Sequence, residues 1–266
     1  MQDFRDKVVW ITGAASGIGA AVARAFAAAG ARVVLSDRDA AGLDATLQSL
    51  GGAGGAMVLP FDVIEFDRHA ALAAEVKARM GRIDLLFNIA GITQRSLVRD
   101  TGMDVYRRLM DVDYFAPVSL TKAVLPIMVA DGGGGLAVVS SVAGKFGTPL
   151  RSGYCAAKHA LHGFFDSLRA EAWADNIHVT IVVPASVRTN VSVNALRGDG
   201  SRYGVMDAAM AQGQSADEAA AIILKAMQKG APEIVVGNGI PIRMLRWKRL
   251  WSPRRFFKLM QTAKTT

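Results

Sequence analysis

The stretch Lys7-Val8-Val9-Trp10-Ile11-Thr12-Gly13-Ala14-Ala15-Ser16-Gly17-Ile18-Gly19, running on through an alanine-rich segment to Ala29-Gly30, decides the fold. Lys7–Thr12 reads as a short apolar strand, and glycines follow at 13, 17 and 19. A helix then runs to Ala29 and ends at Gly30, a residue that readily takes the left-handed conformation of a helix terminus. Arg32–Ser36 is the second apolar strand, and Asp37 closes it 18 residues after Gly19. Gly13 lets the chain turn sharply, Gly17 permits close backbone approach, and Gly19 lets the helix pack on the strand. Free amides at the helix start then face an anionic pyrophosphate, while an acid at Asp37 can take a ribose hydroxyl. A plain strand-to-helix turn beside a helix-capping Asp is the alternative. The unbroken order of strand, loop, helix, strand and acid favours dinucleotide binding.

The alternation continues. Ala40–Leu50 reads as a helix, Gly51–Gly55 as a loop, Met57–Phe61 as a strand and about Glu65 to Met80 as a helix. Ile83–Asn88 is the fourth strand, Met103–Val129 a long helical region and Gly132–Gly135 a glycine loop. An apolar strand leads to Ser141, a helix runs from Gly153 to about Ala174, and Ile177–Val183 is a strand. Ala216–Gln228 is the last helix of the body and Glu233–Val236 its last strand. Strands alternating with helices predict an α/β fold: a Rossmann-like, doubly wound parallel sheet of about seven strands with helices on both faces. Residues 1–239 form a single domain on this reading, and residues 240–266 a tail.

Composition narrows the function classes. The chain has 266 residues, 51% hydrophobic and 20% charged, as in an ordinary globular protein. A lone cysteine, Cys155, excludes an internal disulfide framework and fits a reducing, cytoplasmic setting. Four scattered His give no metal-ligand spacing, so no metal is expected, and His159 and His162 read as surface or core residues. No secretory signal is expected at Met1–Arg5, and no apolar run reaches the length of a membrane span. Of the 31 Lys and Arg, eight lie in residues 240–266, which hold no Asp or Glu; the net charge of +8 therefore sits in the tail.

A second stretch carries chemistry. Val138-Val139-Ser140-Ser141 ends a buried strand, Gly147-Thr148-Pro149 marks a turn, and Tyr154-Cys155-Ala156-Ala157-Lys158 opens a helix. Tyr154 and Lys158 are four residues apart and share a helix face, so the ammonium can lie close to the phenol. A hydroxyl at Ser141 can meet them across a cleft, which makes a proton-transfer site for an alcohol or carbonyl. Taken alone, a half-buried Tyr beside a solvated Lys would also satisfy the spacing.

With these motifs in place the chain resembles the short-chain dehydrogenase/reductase family from Lys7 to about Gly239. The resemblance rests on Thr12-Gly13-x-x-x-Gly17-x-Gly19, Asp62-Val63, Asn88-Ile89-Ala90-Gly91, Ser141 thirteen residues before Tyr154, Tyr154-x-x-x-Lys158, and Pro184 to Thr189. It implies an NAD(P)-dependent oxidoreductase acting on CH-OH groups, with Tyr154 as acid/base, Lys158 favouring the phenolate and holding the nicotinamide ribose, and Ser141 binding the substrate oxygen. Gly13, Ser16, Gly17, Ile18 and Gly19 would contact the phosphates, and Asp62 and Val63 would border the adenine. Asn88 and Gly91 would line the middle of the cofactor, and Pro184, Val187 and Thr189 the nicotinamide end. Asp62 could instead cap a helix with Glu65, and Asn88 could simply tie neighbouring strands. A homodimer or homotetramer is the family expectation.

Three positions depart from the pattern. Ile89 and Ala185 replace a usual Asn and Gly. Asp113 stands where the family has an Asn thought to fix a water that relays protons from Lys158, and a carboxylate there would pair with Lys158 and weaken its pull on Tyr154. Asp37 favours NAD by repelling a 2′-phosphate, although Arg38 could bind one and leaves NADP open.

Residues 190–214 occupy the place of a substrate lid. Val191, Val193, Leu196, Tyr203, Val205, Met206 and Met210, with Phe146 and Leu150, predict an apolar pocket for a hydrophobic secondary alcohol or ketone; they could equally pack the lid on the body. The tail interleaves Met244, Leu245, Trp247, Leu250, Trp251, Phe256, Phe257 and Leu259 with Arg243, Arg246, Lys248, Arg249, Arg254, Arg255, Lys258 and Lys264. That mixture suits peripheral contact with an anionic membrane, or folding over the lid or a subunit boundary, and no nucleic-acid motif accompanies it. A non-catalytic NAD(P) sensor is the main alternative function; a sugar-nucleotide epimerase shares Tyr-x-x-x-Lys but has a longer chain and differently spaced glycines.

Overall fold

The computed structural model describes residues 3–51, 55–237 and 250–261. In chain order the elements are β1 (Val8–Thr12), α1 (Gly17–Ala28), β2 (Arg32–Ser36), α2 (Ala40–Ser49), β3 (Met57–Val58), α3 (His69–Met80), β4 (Leu85–Asn88), α4 (Met103–Met110) and α5 (Ala116–Ala130). They continue with β5 (Gly134–Val139), α6 (Ser152–Glu171), β6 (Ile177–Pro184), α7 (Ala208–Ala211), α8 (Ala216–Gln228), β7 (Glu233–Val236) and α9 (Pro253–Gln261). Seven parallel strands form one sheet in the order β3-β2-β1-β4-β5-β6-β7. The strand order reverses between β1 and β4, so the loops leaving their carboxyl ends diverge and open a crevice there.

Strand alternation divides the core into two layers. Trp10, Val34, Leu86 and Leu136 point to one face and pack with Leu72 and Val76 of α3, Leu120 and Val124 of α5, and Leu161 and Phe165 of α6. Ile11, Phe87, Ala137 and Val182 point to the other and meet Val22 and Phe26 of α1, Leu43 of α2, and Ile223 of α8. Each fully buried Leu, Ile or Phe contributes about 1.5–3 kcal/mol. Thus the doubly wound fold expected from the sequence is the one observed.

Several boundaries differ for identifiable reasons. β5 begins inside the glycine tract, where Gly134 pairs with Ile177 of β6 and Gly135 with Leu85 of β4; a Cβ at Gly134 would press on Met128 Sδ at 2.9 Å and one at Gly135 on Leu85 Cδ1 at 3.0 Å. β3 is cut to two residues at the sheet edge, although Leu59 and Phe61 beyond it still donate to Leu35 O and Asp37 O; Pro60 between them faces away from β2, where its missing N–H costs no ladder bond. Met103–Ala130 is one continuous helical run whose apolar window has the length of a membrane span at mean hydropathy 1.3, a feature hidden in sequence by charges such as Lys122. Here the run covers the sheet, with Leu120, Val124 and Met128 buried, and a π-helical turn at Asp111–Phe115 interrupts its register.

The tail's α9 docks on the body. Phe256 is 1% exposed and its ring lies 5.4 Å from that of Phe146, while Arg254, Arg255, Phe257 and Lys258 face solvent. Phe146, expected in the wall of a substrate pocket, is therefore a core residue at 3% exposure. The expectations for Arg243, Met244, Leu245, Arg246, Trp247, Lys248, Arg249 and Lys264 lie outside the described residues, as does the middle of the Gly51–Gly55 loop.

Candidate active site

At the end of β1 the chain turns through Gly13 at φ 71°, and a Cβ there would meet Ala90 N at 2.7 Å. Thr12 ties this turn to the neighbouring strand, its Oγ1 accepting from Ile89 N at 3.1 Å and Ala90 N at 3.3 Å. Any side chain at Gly19 would overlap the Gly13 carbonyl oxygen, so the two glycines let the start of α1 sit directly on the loop. Ser16 is the N-cap residue of α1, yet its side chain makes no capping hydrogen bond, and the first turn has no acidic residue. An uncapped helix N-terminus with an adjacent free hydroxyl fits an anion.

Asp37 stands beside that loop. Its Oδ2 accepts from Ala15 N at 3.4 Å and its Oδ1 from Asp39 N at 3.1 Å. Arg38 is turned toward Asp62, 3.8 Å away. Asp62 also accepts from Ile64 N at 3.3 Å, while its N–H donates to Glu65 Oε2 at 3.2 Å, a reciprocal turn of the capping kind. Val63 packs on the core beside it. Asn88 is 5% exposed and donates to Thr121 Oγ1 of α5 at 3.3 Å, so it ties strand to helix. On the far side of the crevice β6 ends at Pro184 and Val187 is buried. Thr189 crosses toward the loop, where its Cγ2 would lie 3.1 Å from a Cβ at Gly17.

α6 brings Tyr154 and Lys158 to the crevice side by side. Lys158 Nζ lies 5.6 Å from the centre of the Tyr154 ring and donates to Val139 O at 3.1 Å. Ser141 starts the turn after β5, and its Oγ accepts from Ala143 N at 3.1 Å, which leaves its proton for another acceptor. Asp113, fully buried in the π-helical turn, brings Oδ1 to 3.6 Å from Lys158 Nζ and 2.9 Å from Ile92 N. Its Oδ2 is buried without a hydrogen-bond partner among the described residues. Burial raises the Asp113 carboxyl to about 6 against the downward pull of Lys158 and the Ile92 amide. Gly91 is part of this cluster: a Cβ there would meet Asp113 Oδ1 at 2.8 Å and Lys158 Nζ at 3.3 Å.

One network carried no sequence signal. Ser140 Oγ lies 3.0 Å from His162 Nε2, His162 Nδ1 lies 3.3 Å from Lys145 Nζ, and Lys145 pairs with Glu233 at 2.6 Å. Burial first, then Lys145, pushes His162 down to about 4, so the imidazole is neutral at pH 7. These contacts tie the end of β5 to α6 and β7, directly behind Ser141.

A family model described as short chain dehydrogenase matches residues 7–199. The zebrafish (Danio rerio) "Dehydrogenase/reductase SDR family member 7B" is 41% identical over 265 residues, 97% of this chain and 85% of that protein. A short-chain dehydrogenase crystal structure from Streptomyces avermitilis superposes with TM-score 0.79 at 31% identity, covering 96% of each chain. A short-chain dehydrogenase/reductase from Burkholderia phymatum, solved in complex with NAD, gives TM-score 0.80 at 24% identity over 88% of this chain and 90% of that one.

Proposed function

The chain belongs to the short-chain dehydrogenase/reductase family, and on that premise we propose that it moves a hydride between NAD, in preference to NADP, and a hydrophobic secondary alcohol or its ketone. The observation that carries this reading is the placement of Tyr154 and Lys158 on one face of α6, beside the turn that begins at Ser141. When bound, the nicotinamide supplies the hydride chemistry. The rest falls to the chain. The amides of Gly17, Ile18 and Gly19, with the Ser16 hydroxyl, would hold the pyrophosphate, Asp37 the adenosine ribose, and Val187 and Thr189 the carboxamide.

Ser141 donates a hydrogen bond to the substrate oxygen, where charge develops during transfer. Tyr154 takes the alcohol proton in oxidation and returns it in reduction. A free phenol titrates near ~10, so the reaction near neutral pH depends on the Lys158 ammonium favouring the phenolate. Asp113 sets how strongly it does so, because its carboxylate draws on the same ammonium.

Asp37 beside the glycine loop and the engagement of Arg38 with Asp62 both support NAD. The apolar substrate wall rests on Val191, Val193, Met206 and Met210 of the lid. Assembly as a homodimer or homotetramer is supported by a surface groove where Phe66 of the turn before α3 meets Phe115 of the π-helical turn and Val118 of α5, with Ser119 and Lys122 beside them. A cytoplasmic site fits the lone cysteine, and the basic outer face of α9 supports peripheral contact with an anionic membrane. Turnover of NAD with a panel of apolar secondary alcohols tests the reading. Loss of that turnover in Tyr154→Phe, with NAD binding retained, is the expected result; NAD binding with no turnover on any panel member would favour a sensor.

A further inference from the structure

The segment Thr93–Ser96, which belongs to none of the motifs above, touches both the lid and the start of α6. On the lid side, Leu196 N donates to Thr93 O at 2.8 Å and Arg95 N donates to Leu196 O at 2.8 Å. On the helix side, Ser96 N donates to Leu150 O at 3.1 Å. Leu150 holds a left-handed φ of 64°, unfavourable for a side chain of this kind, so the turn into α6 depends on such contacts to keep its shape.

Gln94 lies between them and is fully buried. Its Oε1 accepts from Gly153 N at 2.8 Å and from Tyr154 N at 3.3 Å. Arg151, the N-cap residue of α6, supplies no side-chain cap, so Gln94 meets two amides that the helix leaves open. Gly153 makes room for this: a Cβ there would meet Gln94 Oε1 at 2.9 Å and Leu109 Cδ1 at 2.8 Å. Gln94 Nε2 is fixed in turn by Thr101 Oγ1 at 3.2 Å.

Asp207 of the lid joins the same two sides by charge. Its carboxylate is 1% exposed and forms a short ion pair with Arg95, and it accepts from Arg151 Nη2 at 3.1 Å. The Asp207 N–H donates to Ser192 Oγ at 3.2 Å, which holds the residue within the lid. Removing one partner from a buried ion cluster strands the others without compensation, so the lid cannot lift here without disturbing Arg151 at the head of α6.

We propose that Gln94 is the positioning residue that sets the first turn of α6 under Tyr154, and that Asp207 latches the lid to that same turn. The lid and the acid/base side chain then move as one unit, an inference that rests on Tyr154 being that acid/base.

Hydrogen–deuterium exchange of the full-length chain, resolved at the Gly153 and Tyr154 amides, tests it. Gln94→Ala should speed exchange there by about tenfold or more, while β1 amides keep their protection. Gln94→Glu retains the accepting oxygens and should restore slow exchange. Asp207→Asn should speed exchange at the same two amides and hasten tryptic cutting after Arg197 and Arg202. If Gln94→Ala loses protection in β1 as well, Gln94→Met, which keeps the volume without an acceptor, replaces it. Unchanged exchange in the Gln94 or the Asp207 variant, or Gln94→Glu exchanging as fast as Gln94→Ala, would overturn the proposal. Exchange needs neither nucleotide nor substrate, so this outcome is separate from failure of the hydride-transfer reading, which only turnover decides.

Discussion

Asp113 and Lys158 form a buried pair: Oδ1 lies 3.6 Å from Nζ, with the carboxyl fully buried and the Lys158 side chain 5% exposed. An ammonium shared with a carboxylate exerts less pull on the Tyr154 phenol than an unshared one. Asp113→Asn keeps the side-chain shape and removes the competitor. The pH–rate profile of alcohol oxidation should then move to lower pH by about half a unit to one unit. An unchanged profile would separate Asp113 from the acid/base.

The same pair predicts a stability effect. The Asp113 carboxyl is raised from 3.8 to about 6, so its contribution is fully present below the unfolded value and is lost as pH rises through about 6. A shift of about two units corresponds to about 3 kcal/mol. Denaturation midpoints taken between pH 4 and 7 should show Asp113→Asn gaining on the parent by up to about that amount. Parallel curves for the two proteins would contradict the assignment.

Asp37 should decide the cofactor. Asp37→Asn removes the charge that repels a 2′-phosphate, and the ratio of NADP to NAD use should rise about tenfold. Arg38→Ala should change that ratio little, because Arg38 faces Asp62. Kinetics with both nucleotides check this, and an unchanged ratio in Asp37→Asn removes the residue from the ribose site.

Phe256 should matter to folding although it lies in the tail. Phe256→Ala opens a cavity against Phe146 and should cost about 3–5 kcal/mol in chemical denaturation. Phe257, 54% exposed, should cost well under that when changed to Ala. Equal losses would mean that α9 is not anchored through Phe256.

Because α9 is anchored, deleting the tail would confuse membrane contact with unfolding. Replacing Arg254, Arg255 and Lys258 together by Glu reverses the exposed charge and spares Phe256. Pelleting with anionic vesicles should fall several-fold in that variant and at raised salt. Equal recovery of variant and parent in the supernatant removes the membrane contact.

The fold was legible because its signals are local. Gly13, Gly17 and Gly19 follow a strand directly, and Tyr154 and Lys158 need only helical spacing to meet. Gly134 and Gly135 misled because glycines read as a loop, whereas here both are paired in the sheet, with Ile177 and His178 of β6 and Leu85 of β4. Phe146 read as pocket wall because its partner, Phe256, lies 110 residues further along the chain. Gln94, Arg95 and Asp207 carried no motif at all; their meaning comes from the 190–214 segment, which folds back so that Asp207 meets Arg95 across 112 residues. Such contacts are tertiary, and no spacing announces them.

The central claim is that Tyr154, set beside Lys158 and Ser141, moves the proton in an NAD-dependent reaction. Single-turnover oxidation of an apolar secondary alcohol by the NAD-loaded protein tests it most directly, with the parent and Tyr154→Phe compared at equal NAD occupancy. The account predicts that the variant binds NAD as tightly as the parent and loses at least about a hundredfold in hydride transfer. Transfer at the parent rate in Tyr154→Phe would contradict it.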